Sequence, residues 1–296
     1  MNGDIRQQCF IHPFDEAARR KLEAIPGFSI AVKSFLKVGY ERMLHGINMA
    51  SKIRLSSTQL PDIYSLLPPI CAKLGISEPE LYLEMNPAPN AYTYGDSIIS
   101  ITLTSGLLEY MDKEELIAVI AHECGHIACR HVLYHTMASI LLGGGSSLIQ
   151  FLSIPMQLGL NFWVRRSELS ADRAAVIVCG SQTPVINTMM RLAGGPKKIT
   201  NNINIEEYAS QADYYEKMMA DSKWDSILQK YGVLYNTHPY AAVRVSEIIK
   251  WCKSDEYRAI LEHNEILFSG LLCPACGNPV SNHWHFCKKC GNKLEK

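Results

Sequence analysis

The chain has 296 residues, 47% of them hydrophobic, so it can bury the core of one full-sized domain and still carry a smaller module. Its 29 basic and 29 acidic side chains leave the formal charge near zero. This balance excludes a protein that binds nucleic acid or an anionic membrane through its overall charge, and any charged contact must be local.

The N-terminal stretch MNGDIRQQCFIHPFDEAARR has early acidic residues and lacks the apolar core that a secretory signal needs. We therefore expect a cytoplasmic protein. Ten cysteines in such a chain favour metal binding or buried free thiols over a disulfide framework.

Residues 28–56 repeat apolar side chains at helical spacing, with basic residues between them. This pattern predicts an amphipathic helix or a pair of helices. Such a helix can lie on a membrane, but docking on its own domain is the commoner outcome. We expect residues 1–60 to pack on the core, with membrane contact that is at most peripheral.

A helix over residues 62–74 that ends at Gly75 is predicted next, followed by a small sheet. The stretches ELYLEM, NAYTYG and SIISITL alternate β-formers with polar residues and are separated by Pro, Asn and Gly. This pattern predicts a small antiparallel sheet. Asp112 and Glu115 then form a capping-box pair that opens the helix containing the sequence HECGH.

The HECGH motif at residues 122–126 has the spacing of a catalytic zinc site. Because each residue of an α-helix advances about 100°, His122 and His126 point within about 40° of each other and can bind one ion. Glu123 lies beside that ion, where it can hold a bound water. Three further residues fall on the far side if the helix continues, and are interpreted as back-face residues: Cys124, His131 and His135.

A catalytic zinc needs a third protein ligand from elsewhere in the chain. The metzincin solution is closed because Cys129 and Val132 stand where its glycine and histidine would be. Glu168 is well placed on a second helix, four residues before Asp172, so that the two carboxylates share one face. We predict Glu168 as the third ligand and Asp172 as the carboxylate that fixes the tautomer of a ligating histidine.

Residues 136–164 contain no formally charged side chain and raise the question of a membrane span. His126 and Glu168 must meet at one ion, so the chain between them returns to the side that it left. Two complete spans need about 17–25 residues each, which is more than the stretch contains. We predict a buried helical hairpin, or at most a re-entrant or interfacial element, followed by a helix that ends at Gly180.

The C-terminal residues contain two CxxC pairs, the pattern of a small zinc ribbon. Four thiolates close a tetrahedron around zinc and leave no open position, so this ion is structural. The four predicted ligands are Cys273, Cys276, Cys287 and Cys290. We assign residues 271–296 to the ribbon and 254–270 to a linker, and expect the ribbon to contact a protein partner or its own chain, with no nucleic acid bound.

Three motifs in this order, AHECGH, RRSELSAD and THPYAAVR, resemble the zinc peptidase family that includes the heat-shock protease HtpX and the CAAX prenyl endopeptidase. These are gluzincins, in which a glutamate is the third ligand. The resemblance runs from about residue 61 to 252 and implies a mostly helical, zincin-like α+β metallopeptidase core over residues 61–253. The chain resembles the soluble branch, since it lacks the multiple spans of the integral-membrane members.

The resemblance also implies roles for the late His-Pro-x4-Arg element, which matches His238, Pro239 and Arg244. In relatives the histidine has been interpreted as a transition-state stabiliser or as a movable extra zinc ligand that shuts the enzyme off, and both interpretations stay open. His238 or Arg244 could stabilise the oxyanion.

These features predict a zinc-dependent endopeptidase that cleaves extended or misfolded polypeptides with a zinc-bound water, Glu123 being the general base. We expect one catalytic and one structural zinc. The strand at Asn90, Ala91 and Tyr92 is the predicted edge on which a substrate adds as a strand. The alternative is a zinc-containing, chaperone-like protein that holds extended chains without cutting them, but such a protein needs no general base.

Overall fold

The computed structural model describes residues 9–37, 39–142, 152–221, 241–268, 271–281 and 284–294. Helices dominate and four short strands form one sheet, so the predicted α+β class is confirmed. The helices are α1 (Pro13–Glu23), α2 (Phe28–Lys37), α3 (Tyr40–Ser51), α4 (Pro61–Tyr64), α5 (Leu67–Leu74), α6 (Ser105–Tyr110), α7 (Lys113–Ala128), α8 (Val132–Leu142), α9 (Ile154–Cys179), α10 (Thr183–Gly194), α11 (Lys197–Thr200), α12 (Ile205–Asp221), α13 (Ala241–Cys252) and α14 (Asp255–Phe268). The strands are β1 (Ile53–Arg54), β2 (Glu80–Glu84), β3 (Ala91–Tyr94) and β4 (Ser100–Thr104).

The sheet is mixed, so the prediction of an antiparallel sheet was wrong for one of its three pairs. Its strand order is β1-β2-β4-β3, and β4 runs parallel to β2 but antiparallel to β3. After β2 the chain forms the outer strand β3, and it then turns back to form β4 between β2 and β3. All five residues of β4 are buried, so both faces of this strand are covered.

Helices α7 and α9 form the centre of the core and carry the predicted metal ligands. The capping box that opens α7 is present: Glu115 N–H donates to Asp112 Oδ1 at 3.0 Å, and Asp112 N–H donates to Glu115 Oε2 at 3.1 Å. Gly125 lies where α7 meets α9, and a Cβ there would lie 2.9 Å from Ala174 Cβ and 3.1 Å from Ala171 Cα. The absence of a side chain at Gly125 therefore lets the two helices approach closely.

Residues 28–56 form α2, α3 and β1, which confirms the predicted pair of helices and adds a strand to the sheet. Helix α1 packs on α9. A second hydrophobic cluster joins α1, α2, α8 and the N-terminal half of α9, with Trp163, Leu160 and Met137 fully buried within it. The N-terminal helices therefore cover the first half of α9, next to the metal ligands.

The uncharged stretch is described for residues 136–142 and 152–164, which belong to α8 and α9 apart from the two residues that precede α9, and residues 143–151 lie outside the described part. The two helices pack on each other. Among the described residues, no single helix is long and apolar enough to cross a membrane. Two consecutive helices, Lys113–Ala128 and Val132–Ile140, are long and apolar enough only when taken together, and they are bent by 100° relative to each other.

Replacing Gly125 by valine should destabilise the protein, because its methyl groups would push α7 away from α9. Overpacking of this kind costs about 1–3 kcal/mol or more. Urea unfolding followed by circular dichroism measures the change. Gly46 is the matched control, since a Cβ there meets no atom within 4 Å and alanine suits the exposed helix α3. A Gly125→Val protein as stable as Gly46→Ala would contradict the importance of this close approach.

Candidate metal centre and active site

The three predicted zinc ligands meet between α7 and α9. Nε2 of His122 lies 3.2 Å from Nε2 of His126. The two carboxylate oxygens of Glu168 each lie 3.4 Å from one of these nitrogens. All three side chains are buried.

This arrangement fits a tetrahedral zinc ion. Zinc binds imidazole nitrogen and carboxylate oxygen at about 2.0–2.2 Å, so neighbouring donors around one ion lie about 3.3–3.6 Å apart. The observed separations of 3.2 and 3.4 Å agree with that value. Two imidazoles and one carboxylate are also a donor set that catalytic zinc sites use, with the fourth position open.

Asp172 lies behind His122, one helical turn after Glu168. Its Oδ1 is 2.9 Å from His122 Nδ1, the ring nitrogen that points away from the other donors. Burial lowers the pKa of His122, but the hydrogen bonds and charges of Asp172 and Glu168 raise it overall to about 10. Asp172 is therefore positioned to hold the Nδ1 proton of His122 and to leave Nε2 directed at the ion.

Arg244, on α13, connects the two carboxylates of α9. Its Nε and Nη2 donate to the oxygens of Asp172 at 2.8 and 2.6 Å, and its Nη1 lies 3.1 Å from Glu168 Oε2. Burial raises the pKa of Asp172, but the charge and hydrogen bonds of Arg244, together with His122, lower it below its ordinary value. The guanidinium thus orients the two buried carboxylates, and the oxyanion role that the sequence suggested for Arg244 stays a prediction.

Glu123 is held by a strand residue that the sequence analysis missed. Thr93, on β3, donates from Oγ1 to Glu123 Oε2 at 2.6 Å, and both side chains are buried. The period of two along β3 could have predicted that Thr93 points inward, since Ala91 and Thr93 share the buried face of the strand.

Two cavities adjoin Glu123, and Asn90 contributes to both. The smaller, about 40 Å³, has mostly apolar walls that include Val119, Val185 and Met189. The larger, about 290 Å³, has polar and aromatic walls. Its lining includes Glu84, Tyr92, Tyr94, His126 and His135.

Among the described strands β3 lies at an edge of the sheet, and its use as the substrate edge at Asn90, Ala91 and Tyr92 stays a prediction. The backbone C=O of Asn90 accepts a hydrogen bond from Thr104 N–H at 3.0 Å. In an antiparallel pair, residues whose backbone groups bond to the partner strand, as Asn90 does, alternate with residues whose backbone groups point away from it. By this register, the N–H and C=O groups of Ala91 and Thr93 face away from β4.

The interpretation of His131 and His135 as back-face residues was wrong, because α7 ends before them. The helix stops at Ala128, and α8 leaves at an angle of 100°. His131 Nδ1 then lies 3.0 Å from His126 Nδ1, and the ring centroid of His135 lies 4.4 Å from that of His126. Neither glycine nor proline marks this break, and Arg130 itself adopts a positive φ of 58°.

Three histidines, His126, His131 and His135, are close enough to hold an ion as a group. Both ring nitrogens of His131 already have partners, since Nε2 lies 3.0 Å from Asp15 Oδ2. His135 Nε2 lies 2.7 Å from Ser167 Oγ. These contacts favour a hydrogen-bonded chain over a second ion site.

The ribbon cysteines lie close together, and His238 lies outside the described residues. Cys273 and Cys290 have their Sγ atoms 3.7 Å apart, as do Cys276 and Cys287. Zinc–thiolate bonds of about 2.3 Å place sulfur atoms about 3.8 Å apart in a tetrahedron. The four sulfurs therefore fit a closed zinc site.

Known proteins share much of this sequence. The sequence profile of peptidase family M48 matches residues 58–252. A plastoglobule-localized metallopeptidase 48 of the chloroplast of Arabidopsis thaliana is 33% identical over 264 residues, which cover 88% of this chain and 76% of that protein.

Two bacterial relatives are more distant. A protease HtpX homologue of Sulfurihydrogenibium sp. is 26% identical over 64% of this chain and 74% of its own length. Another, of Trichormus variabilis, is 25% identical over 77% of this chain and 93% of its own length. No solved structure matches the chain at a significant level.

Replacing Arg244 by glutamine should strongly destabilise the metal-free protein, because Asp172 and Glu168 would lose a buried countercharge. Removing one partner of a buried ion pair costs about 3–5 kcal/mol. Urea unfolding in a chelator measures this loss. Arg258→Gln is the matched control, since Arg258 forms an exposed ion pair with Asp255 and its loss should cost less than about 0.5 kcal/mol. Equal losses for the two variants would contradict the contribution assigned to Arg244.

Proposed function

Because the chain belongs to peptidase family M48, a family of zinc metallopeptidases that act on polypeptides, we propose that it is an endopeptidase with Glu123 as its general base. The observation that carries the proposal is the tetrahedral spacing of His122, His126 and Glu168 next to a buried glutamate. We assign those three residues as the ligands of a catalytic zinc.

A zinc ion held by these residues would supply the Lewis acidity needed to polarise the scissile carbonyl and to make water more acidic. Glu123 accepts the proton of the attacking water on its carboxylate and passes that proton to the leaving amine. Thr93 supports this role, because its hydroxyl holds one carboxylate oxygen in place and leaves the other for the water. Asp172 keeps the Nδ1 proton of His122, and Arg244 holds Asp172 and Glu168.

The substrate in this proposal is an extended or misfolded polypeptide. The outer position of β3 and the outward backbone groups of Ala91 and Thr93 support pairing with an extended chain. Such pairing reads the main chain, so sequence preference should be loose. The apolar cavity beside Glu123 offers space for one apolar side chain next to the cleaved bond.

The alternative is a protein that holds extended chains without cutting them. The hydrogen bond from Thr93 disfavours it, since positioning a buried carboxylate beside a metal site serves proton transfer and adds nothing to the binding of a peptide. His238 keeps both of its predicted roles, as a transition-state stabiliser or as a ligand that blocks the site.

The ribbon is proposed to hold a second, structural zinc through its four cysteines. Its contacts to α14 support self-docking: Trp284 donates to Glu262 at 3.0 Å, and Lys288 binds the same carboxylate. A protein partner for the ribbon stays a prediction, as does a cytoplasmic location with at most peripheral membrane contact.

Replacing Glu123 by glutamine should reduce proteolysis by about 10²–10⁴-fold, because the amide cannot accept the water's proton. Cleavage of a fluorogenic, unfolded protein substrate measures this loss, with zinc content determined on the same sample. Glu114→Gln is the matched control, since Glu114 is exposed on the same helix. Full activity of Glu123→Gln would contradict the assignment of Glu123 as the base. Loss of both zinc and activity would show that Glu123 has a structural role in the metal site.

Replacing Cys276 by serine should lower the zinc content from about two ions per chain to about one and leave proteolysis intact. The ribbon would lose its closed site, while the histidine site lies on different elements. Elemental analysis together with the cleavage assay tests both statements. Cys252→Ser, in α13, is the control and should keep both ions. Loss of both ions in Cys276→Ser would show that the two sites are not independent.

A further inference from the structure

A chain of buried polar contacts runs from His126 to the N-terminal helix α1. Nδ1 of His126 lies 3.0 Å from Nδ1 of His131, and Nε2 of His131 lies 3.0 Å from Oδ2 of Asp15. All three side chains are at most 3% exposed. None of the predicted roles uses His131 or Asp15, and Asp15 lies outside the region that matches the family profile.

Asp15 is held firmly in its place. Its Oδ1 accepts from Trp163 Nε1 at 2.9 Å, and its Oδ2 accepts from Ser170 Oγ at 2.5 Å. Ser170 in turn accepts from the backbone N–H of His12 at 2.9 Å, just before α1 begins. The carboxylate is therefore fixed between α1 and the same helix that carries Glu168.

The hydrogen count along this chain permits one arrangement when His126 binds a metal through Nε2. Nδ1 of His126 must then carry the ring proton, so Nδ1 of His131 must accept it. The proton of His131 is consequently on Nε2, where the Asp15 carboxylate, which can only accept, receives it. The charge of Asp15 thus selects the tautomer of both rings.

We propose that Asp15 is a positioning residue for the metal site, acting through His131 to hold His126 in the tautomer that directs Nε2 at the ion. This inference rests on the proposed metal ligation by His126. In consequence, each ligating histidine is connected to a carboxylate: His122 directly to Asp172, and His126 to Asp15 through a second imidazole. The N-terminal helix α1 then contributes a residue that orients a ligand of the metal site.

The test is Asp15→Asn, a substitution that keeps the shape but removes the charge. An amide nitrogen can donate to His131 Nε2, which reverses both tautomers and places a proton on His126 Nε2. Removing an outer partner of a metal-binding histidine lowers metal affinity by about 10–100-fold, and we expect a loss of that size. Zinc per chain is measured over a series of buffered free-zinc concentrations, and the step absent in His122→Ala identifies the histidine site.

Leu22→Ala is the control for a merely structural role. Leu22 is buried on the same helix α1 and belongs to the hydrophobic cluster of α1, α2, α8 and α9, so its truncation loosens the packing of α1 without changing a charge or a hydrogen-bonding group. We expect a lower melting temperature and a zinc affinity within about threefold of the wild type. Equal losses of zinc affinity in Leu22→Ala and Asp15→Asn would overturn the proposal, as would an unchanged affinity in Asp15→Asn.

A second measurement needs no variant at Asp15. In histidine-labelled, zinc-loaded wild type, long-range nitrogen–proton NMR spectra distinguish rings protonated on Nδ1 from rings protonated on Nε2, with assignment by His131→Gln. We expect the proton of His131 on Nε2 and that of His126 on Nδ1, and the reverse for His131 would overturn the proposal. Neither measurement uses proteolysis, so loss of activity in Glu123→Gln with no effect of Asp15→Asn would refute the inference alone. Absence of a zinc step in the wild type would refute the proposed function as well.

Discussion

The close crossing of α7 and α9 at Gly125 is the constraint on which the site depends. A ligand set drawn from two helices requires their backbones to lie close enough for side chains of both helices to reach one point. Ala171 and Ala174 face Gly125 across this contact. Glu168 and Asp172, four residues apart on α9, lie close in sequence to these two alanines. The small residues set how closely the helices approach, and that distance decides where the side chains of the site meet.

Charge balance explains why so many groups surround the ligands. Glu123, Glu168 and Asp172 are three buried carboxylates, and the buried guanidinium of Arg244 binds two of them. With neutral histidines the group carries a net charge of about minus two, which is costly to bury without a counterion. A divalent ion removes this imbalance. In its absence, the pKa of His122 rises to about 10 because the same carboxylates hold a proton on its ring.

The sequence predicted the meeting of His122, His126 and Glu168 better than it predicted their surroundings, for a physical reason. Helical spacing fixes His122 and His126 relative to each other, and the capping box and Gly180 mark helix ends by local chemistry. The end of α7 has no such mark, so His131 was assigned to the wrong face. The parallel pairing of β2 and β4 and the approach of Asp15 depend on long-range packing, which no local pattern encodes.

In the proposed mechanism, strand β3 connects substrate pairing to proton transfer through one residue, Thr93. The backbone groups of Thr93 face the open edge of the sheet, whereas its side chain holds Glu123. In a strand these two directions are perpendicular, so both contacts can be made at once. In the proposed mechanism, a peptide paired along β3 would lie beside the Glu123 carboxylate, and its main chain would be aligned with the metal site before any side chain is recognised. On this proposal, loose sequence preference and precise placement of the scissile bond would follow from the same strand.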